Sequence, residues 1–153
     1  MKTGDVEILN NIISNNEYGV FFRIETASVN DNILSNNIIS NNDKNGVILI
    51  GIDNVLIQNN LIKNNKESQI YVTNSNAPPQ TSKENDISGN KIRHDNDEPN
   101  YGIEIDSGIG ILINNNDLYN SGDIAAILDN GSDTNFGAGN RLNDGTWNTG
   151  ADA

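Results

Sequence analysis

Ile57-Gln58-Asn59-Asn60-Leu61-Ile62-Lys63-Asn64-Asn65 lies mid-chain and sets its grammar: an aliphatic, two residues, Asn, one residue, an aliphatic, two residues, Asn. The phrase occurs upstream as Ile8…Asn11…Ile13…Asn16 and Leu34…Asn37…Ile39…Asn42. Downstream it returns as Ile87…Asn90…Ile92…Asp95 and Ile113…Asn116…Leu118, with a worn copy at Asn140 and Leu142. Counted from Asn11 through Asn37, Asn60, Asn90, Asn116 and Asn140, the spacings are 26, 23, 30, 26 and 24 residues. A period of that size is the mark of a solenoid of stacked coils.

Most copies are followed by Gly or a polar residue and a short alternating run: Gly19-Val20-Phe21-Phe22, Gly46-Val47-Ile48-Leu49, Gln69-Ile70-Tyr71-Val72 and Gly102-Ile103-Glu104-Ile105. Each coil thus offers two or three short strands with inward aliphatics at period two. A helix is excluded because Asn, Asp and Gly recur where they weaken it, while Ile and Val favour strands. A sandwich would place its hairpin turns irregularly, whereas here one residue type returns at one phase. The fold class is all-β: a single-stranded parallel β-helix over residues 1–148, of about five to six coils at roughly 4.8 Å each.

The central Asn residues, Asn11, Asn37, Asn60, Asn90 and Asn116, are expected to form a structural ladder. At a tight bend an Asn amide can bond the local backbone and also donate to the Asn of the next coil. An Asp column would set like charges against each other at the same spacing. For any single Asn, plain tolerance of turn geometry is an equal alternative; for the column as a set, the ladder is favoured.

With 153 residues the chain is one domain, and its net charge of -12 argues against nucleic acid or an anionic membrane surface as partner. No apolar run approaches a membrane span, and there is no Cys. The opening runs directly into Val6 and Ile8 without an amphipathic cap, so the chain is expected to be the C-terminal part of something longer. Residues 74–84 read as an inserted surface loop and 149–153 as a loose tail. Trp147, the only Trp, is expected to lie over the open core as a lid.

The repeated phrase resembles the parallel β-helix repeats of the pectate lyase-like group, found in polysaccharide lyases, alginate epimerases, periplasmic copper-accessory proteins and phage tailspikes or appendages. The resemblance covers roughly residues 6–145 and implies a right-handed helix of three sheets, with Asn at the bend between two of them. It also implies polysaccharide as the usual ligand class and, for the phage members, trimers.

Lyases and epimerases of that group carry acids with Lys, Arg, His or Tyr on an outward sheet, often with calcium. The best match here is Arg93-His94-Asp95-Asn96-Asp97-Glu98, with His94 as base, Arg93 neutralising a uronate and Asp95 or Asp97 orienting a cation. This stretch occupies a corner, where His and Asp are ordinarily solvated, so no catalytic residue is assigned. Asp129 to Asn135 resembles a calcium loop but lacks the closing Glu, so calcium is a weak candidate and neither metal nor cofactor is assigned.

The outward face of the Gly-led strand carries Phe21, Ile48, Tyr71 and Glu104, then Arg23, Ile50, Thr73 and Asp106, with Tyr18 and Tyr101 flanking. Large apolar side chains stacked on a wet sheet call for a cover. Three covers compete: another copy of the chain about a threefold axis, which is favoured; the chain's own 74–84 loop; and sugar, stacked on Tyr18, Phe21 and Tyr71 with Arg23 bonding hydroxyls. The expected function is that of a structural, carbohydrate-associated β-helix segment of an extracellular or phage tailspike or appendage protein, self-associating as a homotrimer. The alternative is a fragment of a polysaccharide lyase or uronate C5-epimerase.

Overall fold

In the computed structural model, residues 5–23, 31–76, 79–95, 100–121 and 124–146 are described. The first coil contributes Glu7–Leu9 (β1), Ile12–Ser14 (β2) and Val20–Arg23 (β3). The second adds Asn32–Ser35 (β4), Ile38–Ser40 (β5) and Val47–Ile50 (β6), and the third Val55–Gln58 (β7), Leu61–Lys63 (β8) and Ile70–Thr73 (β9). A small hairpin, Ser75–Asn76 (β10) and Pro79–Gln80 (β11), interrupts the series. The fourth coil follows with Asp86–Ser88 (β12), Lys91–Arg93 (β13) and Tyr101–Ile105 (β14), then Leu112–Asn114 (β15), Ala125–Asp129 (β16) and Asn135–Phe136 (β17).

These strands stack in parallel into three sheets, ordered β1-β4-β7-β12-β15-β17, β2-β5-β8-β13 and β3-β6-β9-β14-β16. The chain is therefore an all-β solenoid of about four complete turns. Among the described residues beyond them, the second sheet continues as single bridges at Asp117 and Arg141. The core is a set of columns fixed by register: Ile8, Leu34, Ile57, Ile87, Ile113 and Phe136 in the first sheet, and Ile13, Ile39, Ile62 and Ile92 in the second. In the third sheet Val47, Ile70 and Ile103 form one buried column, with Leu49, Val72 and Ile105 two residues on. The hydrophobic effect holds this core, and a register slip of one residue would turn each column into water.

The bends explain the Asn content, and they divide the work between neighbours. At the first corner Asn10, Asn36, Asn59, Gly89, Asn115 and Gly139 all take φ between 52° and 83°, the left-handed region that Asn and Gly tolerate best. The next residue turns its amide inward. Asn37 donates its backbone N–H and Nδ2 to Asn60 Oδ1 at 2.9 and 3.1 Å, and Asn60 does the same to Asn90 at 3.0 and 3.0 Å. The same pairing joins Asn11 to Asn37, Asn90 to Asn116 and Asn116 to Asn140. From Asn37 onward each Nδ2 also reaches a core-strand carbonyl one coil back, as Asn60 does to Leu34 O at 2.8 Å and Asn90 to Ile57 O at 2.8 Å. Backbone groups that the bend would leave orphaned are thereby paired.

A second column runs Asn16, Asn42, Asn65 and ends on Gln69. Gly19 and Gly46 precede their strands because a ladder amide of the next coil lies against them; a Cβ on Gly46 would stand 2.6 Å from Asn65 Nδ2. One coil on, the residue in ladder phase is Asp95, which is exposed. The vacated space is taken by the side chain of Gln69, whose Oε1 accepts from Asn65 N and Nδ2 at 3.1 and 2.8 Å.

Candidate functional site

On the outer face of the third sheet, register aligns Phe21, Ile48, Tyr71 and Glu104 into one column. At the preceding corner Tyr18, Asn45, Ser68 and Tyr101 stand at a common phase, tied through Gly19 N to Asn45 O, Gly46 N to Ser68 O and Gln69 N to Tyr101 O. Large rings at the outer levels and small polar residues at the two inner ones leave a groove of about 610 Å³. It runs over four coils, roughly 14 Å. Asn100 adds to its wall, while Lys66 and Glu67 stand at its rim.

The groove's parts are fixed by contacts. Tyr18 and Phe21 meet edge to face, with centroids 5.7 Å apart at 76°. Lys44 holds Tyr18, its Nζ 2.9 Å from the hydroxyl and 2.8 Å from Glu17. The Ser68 hydroxyl donates to a Glu104 carboxylate oxygen. Burial, with the Asp106 and Glu104 carboxylates nearby, pushes the Tyr71 phenol above its ordinary value, so its hydroxyl stays protonated.

Ile48 differs from the exposed stripe the sequence suggests. It is only 4% exposed, because Phe21 and Tyr71 cover it from the strands on either side. Phe21, at 47%, is the large apolar side chain of that column left open. Ile50 lines the groove; Arg23, exposed and in register with Ile50, does not. None of the described residues of the 74–84 segment lines it either. That segment is instead pinned at its own corner, with Ser82 Oγ donating to Thr73 O at 2.7 Å and Ser82 N to Asn74 Oδ1 at 3.0 Å.

The Arg93–Asp97 cluster comes apart in three dimensions. Arg93 bonds Asp117 through its carboxylate and, at 2.8 Å, its carbonyl. Burial alone would raise the Asp117 carboxyl, but the Arg93 and Tyr119 hydrogen bonds and the charges of Arg93 and Arg141 outweigh it and hold it below the usual range. His94 corrects the expectation of a solvated imidazole: it is 2% exposed, with Nδ1 2.7 Å from Asn100 Nδ2. Asp95 is exposed, its N–H donating to Asn64 Oδ1 at 2.8 Å, and Asp97 lies outside the described residues. His94→Ala should then cost about 2 kcal/mol, since it takes a buried hydrogen bond from the Asn100 amide and empties the space the ring fills. A urea midpoint equal to that of the unmodified protein would show the imidazole to be solvated.

The Asp129 to Asn135 loop is closed by its own side chain, Asp129 Oδ1 accepting from Gly131 N at 2.9 Å and Thr134 Oγ1 at 3.1 Å. Among the described residues no group of three or more His, Cys, Asp or Glu converges to hold a metal ion. A second hollow, about 630 Å³, opens at the far end of the core between Ile127, Phe136 and Leu142. Trp147, the expected lid there, and the 149–153 tail lie outside the described residues.

Sequence reasoning missed Asn45, Ser68 and Asn100 as groove residues. For Asn45 and Ser68 the available signal was the phase they share with Tyr18 and Tyr101, one residue before each leading Gly or Gln of the third sheet; Asn100 stands one residue off that phase. No curated protein and no solved structure matches the chain. Residues 1–150 match the family described as periplasmic copper-binding protein (NosD), and the chain belongs to that family.

Proposed function

We propose that this chain is a binding segment of a periplasmic β-helix protein and that its third-sheet groove holds a stretch of polysaccharide. The observation that carries this is the arrangement of Tyr18, Phe21, Tyr71 and Tyr101 around a floor that includes Asn45 and Ser68. Flat rings with polar edges stack on pyranose faces, while side-chain amides and hydroxyls bond the sugar hydroxyls. Neighbouring coils repeat these groups at strand spacing, which suits a polymer lying along the stack. The periplasmic description of the family agrees with a site of action outside the cytoplasm.

Copper does not fit the donors present. Protein copper sites are built chiefly on thiolate or thioether sulphur and imidazole, and the chain has no Cys, one Met and one His. Met1 lies outside the described residues, and the His94 ring is buried against Asn100. Cleavage or epimerisation is likewise less well supported than binding, because Arg93 is paired with Asp117 while His94 is turned to Asn100.

In a screen of neutral and acidic polysaccharides, the purified protein should retain at least one class. Tyr71→Ala should weaken that binding about tenfold, or 1.4 kcal/mol. Retention of none, or binding indifferent to Tyr71→Ala and Phe21→Ala together, would defeat the proposal. Self-association is a second reading, carried by a different face: Ile12, Ile38 and Leu61 form an outward column on the second sheet, with Ile12 76% exposed. A solution mass of a single 16.6 kDa chain would reject it.

A further inference from the structure

We infer that the groove takes a neutral sugar bearing a vicinal pair of hydroxyls and rejects uronates, with Glu104 and Asn100 as the residues that choose. This rests on the groove being the polysaccharide site.

The Glu104 carboxylate is short of donors. Among the described residues the Ser68 hydroxyl is the one hydrogen-bond donor to Glu104, and no Lys or Arg pairs with that carboxylate. A carboxylate has about four acceptor positions, so Glu104 keeps room for two further hydroxyls, the geometry a vicinal diol presents. Asn100 supplies an independent observation. Its Nδ2 is spent on His94 Nδ1 at 2.7 Å and Asn65 O at 3.2 Å, while its Oδ1 is buried with no partner. Asn100 is 2% exposed and lies in the groove wall. A buried acceptor left unpaired is unfavourable, and a small movement of the groove wall that brings it to a ligand hydroxyl would relieve that.

Charge points the same way. Glu67 and Glu104 both line the groove, and Lys66, the lysine lining it, is bonded to Asp43 at 2.7 Å. A sugar carboxylate would enter next to Glu104 against this local charge and a net -12 on the chain.

The test is calorimetry of the full chain against galactan, polygalacturonate and periodate-oxidised galactan, in which the vicinal diols have been cleaved. Galactan should bind at least tenfold more tightly than either of the others. Glu104→Gln exchanges one acceptor for a donor; it should weaken galactan at least tenfold and narrow the gap to polygalacturonate, with the circular dichroism unchanged. Asn100→Ala should weaken galactan further, and if it fails to fold, Glu104→Gln and the oxidised ligand still decide. Equal or tighter binding of polygalacturonate, or undiminished binding of oxidised galactan, overturns the inference and leaves the groove as a polysaccharide site. Binding to none of the three at any concentration, or binding untouched by Tyr71→Ala, removes the site itself.

Discussion

Replacing Asn60 with alanine is expected to destabilise the protein by about 4 kcal/mol, a large part of what a single domain has to lose. The side chain accepts from Asn37 N and Nδ2 at 2.9 and 3.1 Å and donates to Leu34 O and Asn90 Oδ1 at 2.8 and 3.0 Å. Alanine leaves the buried Asn37 N–H without its acceptor and Leu34 O without this donor. Asn74→Ala is the comparison. Asn74 Oδ1 accepts one hydrogen bond, from Ser82 N at 3.0 Å, in the hairpin segment, and its loss should cost about 1 kcal/mol. Urea unfolding followed by circular dichroism measures both. Equal, small losses would mean that the Asn column only tolerates the bend and does not hold it.

Gly46→Ala should cost about 3 kcal/mol for the addition of one methyl group. The new Cβ would stand 2.6 Å from Asn65 Nδ2, 2.6 Å from Gln69 O and 2.8 Å from Ile62 Cγ2. Two of those neighbours belong to the core and the backbone ladder and have nowhere to move, and the third is the amide of the second Asn column. The chain carries its own control at Gln69, the residue in the same phase one coil on, where no ladder amide intrudes and a long side chain is accommodated. Gln69→Ala should therefore destabilise by losing the end of the column, whereas Gly46→Ala destabilises by overfilling its bend. A Gly46→Ala protein with an unchanged unfolding midpoint would show that the coils separate freely at this corner.

Period and phase made the solenoid legible, because a stacked coil must return each residue type to the same level to keep one face apolar. The columns Leu34–Ile57–Ile87 and Val47–Ile70–Ile103 follow from alternation alone. Asn59 and Asn60 are the same letter to a sequence reader, yet one supplies the left-handed φ and the other the ladder amide, a division visible only in the backbone. Ile48 stands at an outward position yet is buried, since exposure there depends on Phe21 and Tyr71 from two other coils. His94 looks like a member of an acidic cluster in the sequence. Its imidazole instead meets the Asn100 amide in the interior. Asn100 and Ser68 resemble any polar corner residues until stacking puts them in one groove with Glu104.

The central proposal is that the third-sheet groove is a sugar site and that the donors of this chain do not suit copper. Its most direct test is a ¹H–¹⁵N NMR titration of the intact protein, first with a neutral galactan oligosaccharide and then, on a fresh sample, with copper. The sugar should shift the side-chain amides of Asn100 and Asn45 and the backbone amides of Ile48, Tyr71 and Glu104, leaving the core columns still. Copper at stoichiometric concentration should leave the spectrum unchanged. Groove amides that ignore the oligosaccharide, or a saturable response to one equivalent of copper, would contradict the claim.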